Sequence, residues 1–107
     1  MHRILFICGK NRLRSPTAEA LFSGIEGIEV SSAGTAADAD CCISADLLDW
    51  ADIIVVMESR HARQLRKKFQ HSLADKRLVI LDIPDKYTYM QPELVDELKA
   101  KASRWMI

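Results

Sequence analysis

Hydrophobic positions along the chain follow two spacings that alternate four times. Short uninterrupted apolar runs, typical of strands buried on both faces, occur at residues 4–7, 53–57 and 78–81, with a weaker one at 28–32. Between these runs, apolar residues recur every three or four positions, as they do on one face of a helix. The alternation predicts an α/β fold in three layers, with a four-stranded parallel sheet and helices on both of its faces.

Capping residues mark where the helices should begin. Ser15 and Pro16 are suited to the N-cap and first position of one helix, Ser44 and Ser59 to the N-caps of the next two, and Pro92 to the start of the last. These boundaries leave polar loops after the first and fourth strands, at the edge of a parallel sheet where ligands bind. The inward-facing residues predicted for the first and third helices are Ala18, Leu21, Phe22, Ile25, Ala62, Leu65 and Phe69.

Length and charge restrict the classes of protein to which the chain can belong. Its 107 residues predict one domain, residues 1–107, and its formal net charge of zero argues against nucleic acid or an anionic membrane as a partner. The first apolar run lacks a cleavage site and predicts a strand, not a signal peptide. Cys8, Cys41 and Cys42 match no zinc spacing, so we expect free thiols, no metal and a cytoplasmic location. No part of the sequence specifies an oligomeric state.

The loop after the first strand carries the most suggestive chemistry. Cys8 ends the apolar run and Arg14 follows five residues after it, at the predicted start of a helix. Unpaired backbone N–H groups at a helix start attract anions, arginine binds phosphate oxygens in pairs, and such surroundings favour the thiolate form of a cysteine. On spacing alone, a packed cysteine followed by a solvated basic turn remains the alternative. The predicted anion-binding loop consists of Gly9, Lys10, Asn11, Arg12, Leu13 and Ser15.

Several segments resemble the low-molecular-weight protein tyrosine phosphatases. Residues 4–20 contain an apolar strand, Cys8, Asn11, then Arg-Ser-Pro and Ala-Glu, and similar segments recur in order at 32–35, 50–58 and 83–87. The resemblance implies the flavodoxin-like fold of that family, a phosphorylated substrate and no cofactor. It also implies that Ser32 supports the geometry of Asn11, for which a plain strand serine is the alternative.

The sequence departs from the family pattern at four places. Lys10 stands where the family has glycine, Leu13 where it has a second cysteine, and Lys86 where it has proline; the stretch at 35–43 is shorter than the usual specificity loop. We therefore do not carry substrate preference over from the family. Lys10 is expected to make the rim of the site more basic than usual.

The loop after the fourth strand offers a proton donor. Asp82 and Asp85 are equal candidates on spacing, and the alternative for both is an ordinary turn beside a proline. The resemblance favours Asp85, as general acid and then as general base. Tyr87 and Tyr89 are predicted to wall the pocket, with packing against the last helix as the alternative for Tyr89.

Three functions follow from these residues. The first is hydrolysis of a phosphomonoester through a phosphocysteine on Cys8, with phosphotyrosine as the default substrate and small aryl phosphates also accepted. The second is a non-catalytic phosphate-binding module. The third, a redox enzyme such as an arsenate reductase, is disfavoured because no cysteine follows Cys42. His61, His71 and the basic face of the third helix are expected to be solvated.

Overall fold

The computed structural model describes residues 2–106, which form a four-stranded sheet between two layers of helices. All neighbouring strands pair in parallel, in the order β2-β1-β3-β4. The strands are β1 (His2–Cys8), β2 (Ile28–Gly34), β3 (Ile53–Val56) and β4 (Arg77–Ile80). The helices are α1 (Arg14–Phe22), α2 (Ala45–Trp50), α3 (Ser59–Leu73) and α4 (Pro92–Ala100), followed by a 3-10 turn at Ala102–Arg104. The predicted α/β architecture is confirmed.

Alternation along β1 divides the core between the two faces of the sheet. Ile4, Phe6 and Cys8 belong to one apolar cluster, which α1 and α4 cover, and Leu5 and Ile7 belong to the other, which α2 and α3 cover. Strands buried on both faces need apolar residues at every position, which is why the runs are uninterrupted. None of the helices within residues 2–106 combines the length and apolar character needed to cross a bilayer.

Trp105 closes the first of these clusters. Its ring is 1% exposed and packs edge-on against Phe6 and Phe22, at centroid distances of 5.4 and 4.9 Å. Aromatic rings prefer this geometry because the positive edge of one meets the negative face of another. The segment after α4 therefore contributes to the core, which the sequence pattern did not predict.

The predicted end of α1 and the predicted N-cap of α3 are wrong. Helix α1 ends at Phe22, because Gly24 and Gly27 turn the chain with φ of 86° and 92°, and Ile25 is left 41% exposed in that turn. Ser59 does not cap α3: Glu58 is its N-cap, in a capping box with His61.

The predictions for the starts of α2 and α4 are confirmed. The Ser44 side chain accepts a hydrogen bond from the backbone N–H of Leu47, and Pro92 is the first residue of α4.

Candidate active site

A cavity of about 390 Å³ opens at the carboxyl edge of the sheet, where β1, β3 and β4 end. We call it the Cys8 cavity. It lies at the place where open α/β sheets bind their ligands. Its lining residues come from four separate parts of the chain: Cys8, Gly9, Lys10, Arg12, Leu13, Arg14, Thr35, Ala36, Arg60, Gln64 and Asp85.

The Cys8 side chain is surrounded by hydrogen-bond donors. Its sulfur lies 3.0 Å from the Ser15 hydroxyl and 3.3 Å from the backbone nitrogen of Asn11, and the residue is only 3% exposed. The Asn11 side-chain amide donates to the Ser15 oxygen at 3.0 Å, so the one hydroxyl hydrogen of Ser15 can point to the Cys8 sulfur at 3.0 Å or, over a longer 3.4 Å, to the carbonyl of Ala33. The sulfur therefore has the Asn11 N–H and the Ser15 hydroxyl within hydrogen-bonding distance.

The position of Ser15 corrects the prediction that it caps α1. Leu13 occupies the N-cap position and no side chain caps this helix, while Ser15 lies within the first turn and directs its hydroxyl to Cys8. Ser15 is the second residue of the helix, not its N-cap, and its oxygen accepts from the Asn11 side chain and not from a helix N–H group. The first-turn donors of α1 are therefore not occupied by a capping side chain.

The loop from Gly9 to Leu13 is held from one side by the segment that follows β2. The carbonyls of Cys8, Gly9 and Lys10 accept hydrogen bonds from the N–H groups of residues 35, 36 and 40, at 2.9–3.0 Å. In a trans peptide the N–H points opposite to the C=O of the preceding residue, and residues 2–106 contain no cis bond. The next N–H groups therefore point away from this segment, and Asn11 N–H meets the Cys8 sulfur.

Asn11 and Gly34 make this loop geometry possible. Asn11 has φ of 56°, in the left-handed region that asparagine tolerates better than most residues. A side chain on Gly34 would meet Gly9 O and Ala39 Cβ at 2.6 Å. Only glycine lets β2 approach the loop so closely. Gly34 is thus a site residue that was noted only within the family-like segment 32–35.

Arg14 is fixed by one edge of its guanidinium. Nη1 donates to the Glu58 carboxylate at 2.5 Å and to the carbonyl of Ile83 at 2.7 Å, and the side chain is 2% exposed. Within residues 2–106, Nε and Nη2 form no hydrogen bond, although Nε lies 3.9 Å from a carboxylate oxygen of Asp85. That free edge is the pair of donors that arginine uses for bidentate binding of phosphate.

The two candidate acids lie in different places. Asp85 lines the Cys8 cavity with a side chain 58% exposed, whereas Asp82 lies outside the lining and pairs with Arg104 at 3.4 Å. The backbone of Asp82 has φ of 57°, which fits the turn role weighed against catalysis. The geometry supports Asp85 as the residue able to exchange a proton inside the cavity.

Two titratable side chains lie close to Arg14: Glu58, which is partly buried, and His61, which is fully buried. Burial raises the pKa of Glu58, but hydrogen bonds from Arg14 and Arg60 outweigh it and keep the pKa below its ordinary value. Burial, reinforced by the positive charges of Arg14 and Arg60, lowers the pKa of His61 to about 4. His61 is fully buried, so the prediction that it is solvated is wrong.

The rim of the cavity is less basic than Lys10 suggested. Lys10 pairs with Asp38 at 2.5 Å and Arg12 pairs with Asp40 at 3.0 Å, so both cations are matched by carboxylates from the short loop after β2. Neighbouring carboxylates and cations stabilise each other's charged forms, and the pKa of Asp38 is lowered, mainly by its hydrogen bond from Lys10. The mouth of the cavity is therefore nearly neutral, with Arg60 also paired to Glu58 at 3.1 Å.

Three of the predicted supporting residues lie elsewhere. The Ser32 hydroxyl donates to Glu19 and not to the Asn11 side chain, which bonds Ser15 instead. Tyr87 packs half-buried against the core cluster of Trp105, and Tyr89 is 52% exposed. Neither tyrosine is among the residues that line the Cys8 cavity.

Glu58, Arg60 and Gln64 reach the site without having been predicted to do so. One signal pointed to Glu58: it follows a buried strand directly, at the edge where parallel strands place their ligand-binding groups. Arg60 and Gln64 follow on the first turns of α3; Arg60 belongs to the basic face that was expected to be solvated, and no role was predicted for Gln64. Within residues 2–106, no three histidine, cysteine or acidic side chains are grouped so as to hold a metal ion.

Comparison with known proteins agrees with the resemblance. Residues 3–45, which include β1, α1 and β2, match the family model described as low molecular weight phosphotyrosine protein phosphatase. No curated protein sequence matches the chain significantly.

Solved structures cover nearly all of the chain. The YwlE arginine phosphatase from Geobacillus stearothermophilus is 26% identical, with 97% of this chain and 90% of that chain covered and a TM-score of 0.78. The tyrosine phosphatase Wzb from Escherichia coli K30, in complex with phosphate, is 23% identical, covering 96% and 94%, with a TM-score of 0.78. Vibrio vulnificus Wzb, in complex with benzylphosphonate, is 24% identical, covering 97% and 96%, with a TM-score of 0.77.

The sequence match and the structural matches concern different lengths of the chain. The family model covers the segment that carries Cys8 and Arg14, and the solved structures show that the sheet and its helices have the same fold. The predicted resemblance is confirmed: the amino-terminal segment of this protein matches the model of the low-molecular-weight phosphotyrosine protein phosphatases, and its fold is that of the solved phosphatase structures.

Proposed function

We propose that this protein hydrolyses phosphomonoesters, with phosphotyrosine as the preferred substrate, through a phosphocysteine intermediate on Cys8. The observation that carries the proposal is the convergence of Cys8, Arg14 and Asp85 on one cavity. A nucleophile, a phosphate clamp and a proton donor are together sufficient for this reaction. The proposal treats residues 1–107 as a single phosphatase-like domain without metal or cofactor.

In the first step the phosphate occupies the Cys8 cavity. The free Nε and Nη2 edge of Arg14 and the loop N–H groups bind its oxygens, and the charge that spreads over these oxygens in the transition state strengthens those bonds. The Cys8 thiolate attacks phosphorus, so a sulfur–phosphorus bond forms as the bond to the leaving oxygen breaks. Asp85 gives its proton to that oxygen, and the alcohol or phenol departs.

In the second step water regenerates the thiolate. Asp85, now a carboxylate, takes a proton from water as the water oxygen attacks the phosphocysteine, and inorganic phosphate leaves. The Ser15 hydroxyl and Asn11 N–H stabilise the sulfur as a leaving group. The exposed position of Asp85 supports this dual role, since it admits the water that the second step consumes.

The depth of the sulfur favours a phosphorylated phenol. Cys8 is 3% exposed, so the phosphorus must pass below the surface, which a tyrosine side chain achieves more readily than a short serine. Leu13, which is 37% exposed and lines the cavity, offers apolar surface to the ring. Cys8, Cys41 and Cys42 are all free thiols, which fits the cytoplasmic location included in the proposal.

The test is turnover of para-nitrophenyl phosphate by the wild type and by Cys8→Ser, Asp85→Asn and Asp82→Asn. We expect no turnover with Cys8→Ser and a fall of roughly 10²–10⁴-fold with Asp85→Asn, typical of a lost general acid. Asp82→Asn is the matched control, because it removes a carboxylate from the same loop outside the cavity. Loss of activity in Asp82→Asn alone would contradict the assignment of the acid.

Two further measurements address the alternatives. If the wild type binds inorganic phosphate but releases no phenolate from para-nitrophenyl phosphate, the protein is a non-catalytic phosphate-binding module. Phosphotyrosine and phosphoarginine are then compared as peptide side chains, because the YwlE neighbour is an arginine phosphatase. Faster turnover of phosphoarginine would overturn the choice of substrate. Consumption of protein thiols during arsenate turnover would indicate the redox enzyme.

A further inference from the structure

A second cavity, of about 270 Å³, adjoins the Cys8 cavity along α3. We call it the Phe69 cavity. Thr35 and Gln64 line both cavities, so the two form one continuous groove across the surface. Its remaining lining residues are Ile43, Leu65, Lys67, Lys68 and Phe69.

The Phe69 cavity combines an apolar floor with a positive rim. Leu65 is 1% exposed, and Ile43 and Phe69 are half-buried against the same core cluster. Lys67 and Lys68 are exposed, and within residues 2–106 neither forms an ion pair. The site therefore favours an apolar side chain beside an acidic one.

This distribution of charge differs from that of the Cys8 cavity. There, Lys10, Arg12 and Arg60 are each paired with a carboxylate of the protein. The lysines of the groove that have no carboxylate partner among residues 2–106 thus lie beyond the phosphate position. Their positive charge favours an anionic group on another part of the substrate.

The short segment after β2 leaves the Phe69 cavity open. Residues 35–42 are folded back on β2, since Gly34 pairs with Cys42 and Ile43 N–H donates to Gly34 O at 2.9 Å. At the other end, Phe69 leaves the helical conformation, with φ of −130° and ψ of 35°, inside α3. The groove thus lies between a closed loop and a break in the helix.

We propose that the Phe69 cavity binds residues adjacent to the phosphorylated residue of a phosphoprotein, with an apolar side chain on its floor and an acidic one at Lys67 and Lys68. This inference rests on the proposed function and names its substrate class as a peptide segment. Side chains two positions apart in an extended peptide lie roughly 7 Å from each other, which suits two cavities with shared walls. A free aryl phosphate would leave the second cavity empty.

The experiment compares two phosphotyrosine peptides. The Glu-Leu peptide has the order Glu-Leu-phosphotyrosine-Leu-Glu, and the Lys-Ser peptide has the order Lys-Ser-phosphotyrosine-Ser-Lys, so each presents the same side chains in either direction of binding. We expect kcat/KM of the wild type to be roughly tenfold higher for the Glu-Leu peptide, as exposed charge pairs and a small apolar contact can give. Equal values for the two peptides would overturn the proposal.

Charge reversal on α3 locates the effect. In Lys67→Glu/Lys68→Glu the ratio of the two kcat/KM values should fall to about one or reverse in favour of the Lys-Ser peptide, as like charges repel. Arg63→Glu/Arg66→Glu is the matched control, because it makes the same change of net charge on the same helix at residues that line neither cavity. A ratio lost equally in both variants would show only a general field effect and contradict the site.

Failure of this inference is distinguishable from failure of the proposed function. If the wild type turns over para-nitrophenyl phosphate but has equal kcat/KM values for the two peptides, the proposed function stands and the peptide-binding role of the Phe69 cavity is wrong. If turnover is absent, fluorescence anisotropy of the labelled peptides with Cys8→Ser measures the same preference as a ratio of Kd values. Equal Kd values there would also overturn the subsite.

Discussion

The loops after β1 and β4 both join a strand to a helix at the same edge of the sheet, yet they are held in different ways. The β1 loop is fixed along its length, by hydrogen bonds from the backbone of residues 35–40 and by the Asn11, Ser15 and Cys8 network. The β4 loop is fixed near its ends: Ile83 N–H donates to Met57 O, and Met90 N–H donates to Thr17. Its middle carries Asp85 into solvent.

This difference matches the two tasks of a phosphatase site. A group that binds the transition state gains from being fixed before the substrate arrives, because no reorganisation is needed. A carboxyl that gives a proton to one molecule and takes one from another needs contact with water. In the proposed reaction, the anion-binding donors thus lie on the fixed loop and the acid lies on an exposed turn of the other loop.

The largest effect is expected from removing the charge that fixes Arg14. In Glu58→Gln the buried guanidinium loses its ionic partner and its free edge is held less firmly, so kcat/KM for para-nitrophenyl phosphate should fall on the order of a hundredfold. Inhibition by inorganic phosphate should weaken in parallel. Glu97→Gln, which breaks the exposed pair with Lys101, is the control and should change neither value.

The next effect concerns the close approach of β2 to the β1 loop. In Gly34→Ala the added methyl group meets Gly9 O at 2.6 Å and Asn11 N at 3.0 Å, which should lower stability by about 1–3 kcal/mol and reduce kcat/KM as well. Gly24→Ala has open space and only a positive φ, so it should lose about 1 kcal/mol with unchanged kcat/KM. Full activity of a folded Gly34→Ala would contradict the role of this contact.

A pH dependence of stability should follow from His61. Its pKa is about 4 in the folded protein, against about 6.5 for an ordinary histidine. Above pH 6.5 the His61 imidazole is neutral in both the folded and the unfolded protein. Between pH 6.5 and 4 it takes up a proton only in the unfolded protein, so the free energy of unfolding falls as the pH falls. The slope should approach 1 kcal/mol per pH unit, below the limit of about 1.4.

Urea unfolding at pH 7, 6 and 5 measures this slope. His61→Gln is the sharpest comparison, because glutamine at this helix position retains the capping box with Glu58 and does not titrate. The His61→Gln variant should show a flatter dependence of stability on pH between pH 7 and 5. Glu58 does not account for a slope in this range, because its pKa is held below its ordinary value. An unchanged slope in His61→Gln would assign the effect to another group.

The smallest effect concerns the end of the β4 loop. The Thr17 hydroxyl accepts a hydrogen bond from Met90 N–H at 3.0 Å and donates one to Leu13 O at 2.6 Å. Thr17→Val removes this link between the β4 loop and the β1 loop and should lower the free energy of unfolding by about 1 kcal/mol. Turnover of phenyl phosphate, which needs the acid, should fall several-fold more than turnover of 2,4-dinitrophenyl phosphate. Thr88→Val, in the same loop, should leave this ratio unchanged.

The sequence predicted the parts of the fold that depend on local pattern. Apolar runs identified β1, β3 and β4 and hence the parallel sheet, because strands buried on both faces are apolar at their central positions. The signal for β2 was weaker because this strand contains Glu29, Ser31 and Ser32. The spacing of Cys8 and Arg14 identified the loop. Helix ends were less predictable: Ser15 has the features of an N-cap, but its hydroxyl bonds to Cys8, a contact that depends on how the loop curls.

Interactions between distant segments could not be predicted from the sequence. The Glu58 carboxylate meets Arg14 across 44 positions of the chain, and Ser32 bonds Glu19 because β2 and α1 pack side by side. His61 was assigned to solvent because its helix is basic, yet it lies on the first turn facing the core. Such contacts are set by the packing of whole elements and have no local signature.

The central place of β1 in the sheet has a consequence for the newly made protein. Its neighbours β2 and β3 are synthesised later, and the segments that enclose Cys8 extend to residue 85. During translation, the thiol is therefore made before the segments that enclose it. The sulfur is shielded only when those later segments have folded around β1.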